Sequence, residues 1–112
     1  MPGLSLHVVD VARGHPATGM KVEIFHRANR IAEGHLGTDG TLDHPIVRTT
    51  LDSGTYEVIF HAGAYFTGAA LNLTDPPFLD LVPFRFTIAD PARHHHVPLK
   101  ITPWGFSVWR GA

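Results

Sequence analysis

Three consecutive histidines, His94-His95-His96, run into Val97-Pro98, and a further histidine, His7, stands near the opposite end of the chain. Imidazole titrates close to neutrality and ligates metals, and nine histidines among 112 residues is a high content. Two imidazoles can divide the labour of a hydrolysis. A neutral one takes a proton from water, and the other holds the substrate or donates to the leaving group. Three imidazoles converging on one point could instead hold zinc. In an extended strand adjacent side chains face opposite ways, so His94 and His96 can share a site from which His95 is excluded. His7 would be the third ligand of a three-histidine zinc site. The chain closes on Trp104, Phe106, Val108, Trp109, Arg110, Gly111 and Ala112. Chain ends are usually frayed and polar, so an aromatic end is expected to be packed and to bring Arg110 with it.

The elements that must position these groups are short strands. Gly14-His15-Pro16, Thr38-Asp39-Gly40, Asp52-Ser53-Gly54, Asp75-Pro76-Pro77 and Asp90-Pro91 are evenly spaced turn signals with β-branched and aromatic runs between them. That rhythm predicts an all-β sandwich or barrel. Alternation predicts strands over Leu4–Val9, Met20–Phe25, Ile31–Leu36, Ile46–Thr50, Tyr56–Phe60, Val82–Ile88 and His94–Thr102. Ala62–Ala70 lacks alternation and is alanine-rich, which predicts one short helix. Pro83 predicts an edge strand or a bulge. With Val97, Leu99 and Ile101 directed into the core beside a structural His95, the opposite face holds His94, His96, Pro98 and Lys100. Beyond the Pro103–Gly105 turn, Phe106 and Val108 point inward again, and Ser107 and Trp109 outward. His7 lies off the Leu4-Leu6-Val8 face. An outer sheet face bearing histidine, lysine and tryptophan suits a ligand site or a subunit interface.

Bulk properties narrow the function classes. The length fits a single domain over 1–112, large enough to bury a core without metal or disulfides. A net charge of −1 gives no basic surface for nucleic acid or anionic lipid. Cysteine is absent, which excludes disulfides and thiolate zinc and fits a cytoplasmic setting. No signal peptide is visible, and no apolar run approaches the roughly 18 residues of a membrane span. Asp39 and Asp52 read as turn residues, and Asp10 as the end of the first strand with a backbone bond.

These segments resemble the 5-hydroxyisourate hydrolase branch of the transthyretin-like family. Leu6-His7-Val8-Val9-Asp10 with Gly14-His15-Pro16-Ala17 is similar to its opening "HVLD…G.PA" segment, and Gly37-Thr38-Asp39-Gly40 to its "T.DGR" turn. Gly54-Thr55-Tyr56 and Ala64-Tyr65-Phe66 resemble its "G.Y" strand and the start of its helix. His94 through Leu99 resembles "HYHVPL", Pro103–Ser107 resembles "PYGYS", and Trp109-Arg110-Gly111-Ala112 resembles the terminal "YRGS". The order and spacing of these segments carry the resemblance over most of the chain.

The resemblance implies a transthyretin-like sandwich of two four-stranded sheets with one short helix. It also implies a homotetramer with sites at the dimer–dimer interface and a small-molecule substrate. The implied reaction is cofactor-free and metal-free: the six-membered ring of 5-hydroxyisourate opens by amide hydrolysis in purine breakdown. The implied site comprises His7, position 41, His96 and residues 109–112. His7, His96 and Arg110 are the expected catalytic groups, Arg110 steadying anionic oxygen; Thr41, Trp109, Ala112, His94 and Arg48 are the expected substrate contacts. Position 41 is Thr where the family has Arg, and the chain ends in Trp-Arg-Gly-Ala where the family has Tyr-Arg-Gly-Ser. A guanidinium is not replaced by a hydroxyl, so Arg48 is considered as its substitute. Two other readings remain: a hydrolase of a related cyclic amide, and a transthyretin-type binder of small apolar molecules.

Overall fold

The computed structural model describes residues 2–69, 71 and 73–111. Alternation became strands where one face could be buried. The strands are β1 (Gly3–Asp10), β2 (His15–Pro16), β3 (Lys21–His26), β4 (Asn29–His35), β5 (Gly54–His61), β6 (Leu81–Ile88), β7 (His94–Ile101) and β8 (Phe106–Val108), with a helix, α1 (Ala62–Thr67), directly after β5. They form two four-stranded sheets, β2-β1-β7-β8 and β4-β3-β5-β6. Leu4, Leu6, Val8, Val97, Leu99 and Ile101 from the first sheet meet Val22, Ile24, Val58, Phe60 and Val82 from the second, all but fully buried. Removing that apolar surface from water is the main source of stability.

The first sheet is the one that matters for the site. β1 and β7 pair in parallel although about ninety residues separate them, with Ser5 opposite His96 and His7 opposite Pro98. β8 adds antiparallel beside β7. Pro98 is tolerated mid-strand because its backbone faces β8: its carbonyl accepts from Trp109 N–H (3.4 Å), so the missing N–H removes nothing from the β1 pairing.

Three expectations need correction. Residues 46–50 are not a strand. Pro45–Val47 form a single 3-10 turn, with Pro45 in its first position and the His44 Nδ1 accepting from Ile46 N–H at 3.1 Å. A proline at a helical start with a side-chain acceptor just before it favours a turn over extension. The helix ends at Thr67, where Gly68 N–H closes on the Ala64 carbonyl; Ala70 lies outside the described residues. Phe106 pairs with Ile101 and so shares its face, but its side chain is 45% exposed. It sits on the edge strand, beyond the cover of the second sheet. Pro83 does lie on an edge strand, β6.

Candidate active site

Outward residues of the first sheet form rows across the strands. In one row Thr41 bridges His7, His7 is opposite Pro98, and Trp109 N–H donates to the Pro98 carbonyl. In the next row Ser5 is opposite His96, and Gly111 N–H donates to the His96 carbonyl at 2.7 Å. His94 opens the face at the Gly3 end, and Lys100 closes it opposite Val9. His7 and His96 are therefore diagonal neighbours on adjacent strands, both half-buried with Ser5 and Pro98 between the exposed His94 and Lys100.

Ser5 ties the histidines of β7 together. Its Oγ lies 2.8 Å from His94 Nε2 and 2.7 Å from His96 Nδ1. His96 therefore has Nε2 as its remaining nitrogen. Burial depresses the His96 pKa below the ordinary 6.5, and the charges of His7 and His94 lower it further. Both causes disfavour a cation, so His96 is held neutral and able to accept a proton. His95 points the other way, 5% exposed, with its Nδ1 donating to the Arg93 carbonyl at 3.1 Å.

The turn before Thr41 is built to bring it to His7. Gly40 adopts φ +78°, and a Cβ there would stand 2.6 Å from the Val8 carbonyl oxygen, which makes glycine necessary. The Gly40 carbonyl accepts from Val8 N–H. Asp39 Oδ1 accepts from both the Thr41 hydroxyl (2.7 Å) and the Thr41 N–H (3.0 Å). These bonds, with a smaller attraction from His7, lower the Asp39 pKa below 3.8. Thr41 thus presents a hydroxyl already committed to Asp39 beside His7. On the far side of the face, Lys100 Nζ lies 5.8 Å from the centre of the Trp109 ring, a cation–π contact.

Not every expected residue joins this group. Arg110 follows Trp109, so alternation turns it to the core side, where it lines a cavity of about 230 Å³ with Phe84, Phe86, Thr87, His95 and Val97. The expectation that it stands beside His7 and His96 is not met within this chain. Arg48 follows the 3-10 turn, with its backbone packed against Gly3. Gly3 pairs with His94, so the Arg48 backbone lies at the His94 end of β1 and not beside Thr41. Its exposed side chain makes no hydrogen bond or ion pair among the described residues. Ala112 lies outside the described residues. The three-histidine zinc arrangement is not formed: among the described residues no three His, Asp or Glu side chains are grouped to hold a metal ion, and two of the rings turn to Ser5 instead. Sequence reading passed over Ser5 and took Asp39 as a turn residue, without its bonds to Thr41. Ser5 shares the His7 face by alternation, but only the β1–β7 register sets it against His96.

Known proteins share both sequence and fold. The sequence matches the HIUase/Transthyretin family over residues 4–111. The chain belongs to this family. It is 44% identical to 5-hydroxyisourate hydrolase 2 of Rhizobium meliloti (strain 1021) over 97% of this chain and 95% of that protein. It is also 44% identical to the 5-hydroxyisourate hydrolase of Deinococcus radiodurans, over 99% and 97%. The Klebsiella pneumoniae 5-hydroxyisourate hydrolase structure superposes with TM-score 0.86 at 27% identity, each chain covered in full. An (S)-allantoin synthase superposes with TM-score 0.88 at 34% identity, covering 98% of this chain and 43% of that protein. The two-sheet, one-helix transthyretin-like sandwich is thus common to this family member and its solved relatives.

Proposed function

We propose that this protein is a 5-hydroxyisourate hydrolase, and that His7 and His96 perform the hydrolysis. Family membership and the relatives' activity support the reaction. The observation that carries the site is the placement of the two imidazoles as diagonal neighbours on one open sheet face, His96 neutral by virtue of burial. His96 Nε2 takes a proton from water as the water oxygen bonds to the ring carbonyl carbon. His7 donates to the departing nitrogen as the carbon–nitrogen bond breaks; His96 then gives its proton to solvent and His7 takes one up, which restores both rings. One water is consumed and the ring opens. Trp109 offers a flat apolar wall to the planar heterocycle. Lys100, steadied over Trp109, supplies a fixed cation for the substrate's anionic oxygens on a face where Thr41 carries none.

The site is completed, in this reading, by a homotetramer that packs these faces together at the dimer–dimer interface. Trp104 and Trp109, 66% and 40% exposed, and the uncovered Phe106 support burial against another copy. The substrate is a small molecule. The protein acts in the cytoplasm, a reading supported by the absence of cysteine; among the described residues no helix is long and apolar enough to cross a membrane.

The test is a coupled assay in which urate oxidase generates 5-hydroxyisourate and its absorbance decay is followed. The protein accelerates the decay, and His7→Asn and His96→Asn each reduce kcat by about 100-fold or more, as expected for loss of a general acid or base. Wild-type turnover in both variants would overturn the histidine assignment. The committed Thr41 hydroxyl beside His7 favours a second reading, a related cyclic amide as substrate. Failure of the unaltered protein to accelerate the decay, with activity gained in Thr41→Arg, would select that reading instead.

A further inference from the structure

We infer that Ser5 is a positioning residue: a hydrogen-bond chain from the Pro2 carbonyl through His94 and Ser5 keeps the His96 proton on Nδ1 and leaves Nε2 as the free base. The inference rests on the proposed hydrolytic site and goes beyond it by naming what orients the base.

A serine hydroxyl has one proton. Set between two imidazole nitrogens, at 2.8 Å from His94 Nε2 and 2.7 Å from His96 Nδ1, it donates to one ring and accepts from the other. The direction is chosen at the far end. His94 Nδ1 faces the Pro2 carbonyl oxygen across a long contact of 3.4 Å. A carbonyl only accepts, so His94 Nδ1 carries that ring's proton. A neutral imidazole holds one N–H, so His94 Nε2 bears a lone pair and accepts from Ser5 Oγ–H. Ser5 Oγ then accepts from His96 Nδ1–H, and His96 Nε2 is left unprotonated. The opposite direction would place a proton on His96 Nε2, and the ring could not take one from water.

The parts of the chain are held in register by the sheet. Ser5 is directly opposite His96 and one row from His94 in the parallel β1–β7 pair, so a single side chain spans both rings. Gly111 lies against the other side of His96: a Cβ there would stand 2.8 Å from His96 Cδ2. The imidazole is thus clamped between a hydroxyl on β1 and a bare backbone on the C-terminal tail. The logic is that of a second residue fixing the tautomer of a catalytic histidine, with a hydroxyl and a second imidazole in place of the usual carboxylate.

The test is long-range nitrogen–proton NMR of the full chain labelled with 15N-histidine, at a pH where His96 is neutral. His96 in the unaltered protein shows a protonated Nδ1 and an unprotonated Nε2; the reverse pattern would overturn the inference. Ser5→Ala removes the link, and His96 moves toward the Nε2–H form that free imidazole side chains favour. In the hydroxyisourate assay kcat of Ser5→Ala falls by about 10- to 100-fold with KM within about twofold, and Ser5→Thr, which keeps the hydroxyl, recovers most of kcat. An unchanged kcat in Ser5→Ala would overturn the inference. The NMR pattern is read without substrate, so a failed substrate assignment and a failed tautomer assignment give different results.

Discussion

The backbone N–H of Gly111 donates to the carbonyl of His96 at 2.7 Å, and the imidazole of His96 lies where a side chain on residue 111 would be. The C-terminal tail is therefore the floor on which the proposed base rests. A methyl at position 111 would meet His96 Cδ2 at 2.8 Å, closer than real Cβ contacts allow, and the ring would have to swing.

Gly111→Ala is accordingly expected to lower kcat roughly 100-fold, the order of loss that a displacement of about 1 Å produces in a positioned group. The melting temperature should change little, because residue 111 lies at the sheet edge and outside the core. Steady-state kinetics with a parallel thermal melt check both halves. A kcat within a factor of two of the parent would show that the ring is not constrained by the tail.

The acid limb of activity follows from the sign of the His96 shift. Burial, then the charges of His7 and His94, hold its pKa below 6.5, so the neutral form persists to lower pH than for an ordinary histidine. The kcat/KM profile, which reports the free enzyme, should fall on acidification with a midpoint below 6.5. Replacing His7 by Asn removes one of the repelling charges and should move the NMR titration of His96 upward. A His96 midpoint at or above 6.5 in the unaltered protein would contradict this.

Asp10 governs stability and not chemistry. It ends β1 fully buried; its carboxylate accepts from Arg13 Nε (2.8 Å), from the Tyr65 hydroxyl (2.8 Å) and from Arg13 N–H (3.1 Å). Burial alone would raise its pKa, but the bonds from Arg13 and Tyr65 outweigh burial and hold it below 3.8. A lowered carboxyl pKa contributes stability that is present above the unfolded value and lost as pH falls through the folded one. Asp10→Asn should lower unfolding free energy by about 1.5–3 kcal/mol at neutral pH, as for a bond to a charged group. It should also flatten the loss of stability on acidification below pH ~4. Urea titrations across that range measure both, and an unaltered slope would remove Asp10 as the acid-sensitive group.

How much of this was legible beforehand differs by residue. Alternation alone separated His94 and His96 from His95 and put His7 and Trp109 on the outer face, because the side-chain period of a strand is two and one face must be buried. Arg110 was expected at the site from the motif, but it follows the outward Trp109 and so falls on the core side. The same alternation located Phe106 on the inner face and misjudged its burial, since alternation does not register which strand lies at the edge. Residues 46–50 looked extended, but Pro45 and the His44 side chain make a local turn whose bonds alternation does not register.

The order of short strands, the outward histidines and the family membership were thus set by residue pattern. The partnership of Ser5 with His94 and His96 was decided only by tertiary structure. β1 and β7 pair in parallel across nearly the whole chain, and a parallel pair cannot be joined by a tight turn that would announce its register. That register comes from packing Leu4, Leu6 and Val8 beside Val97, Leu99 and Ile101 in a shared core. A shift of one residue would have exposed that core and buried the histidines, so hydrophobic burial on one face of the sheet places the chemistry on the other.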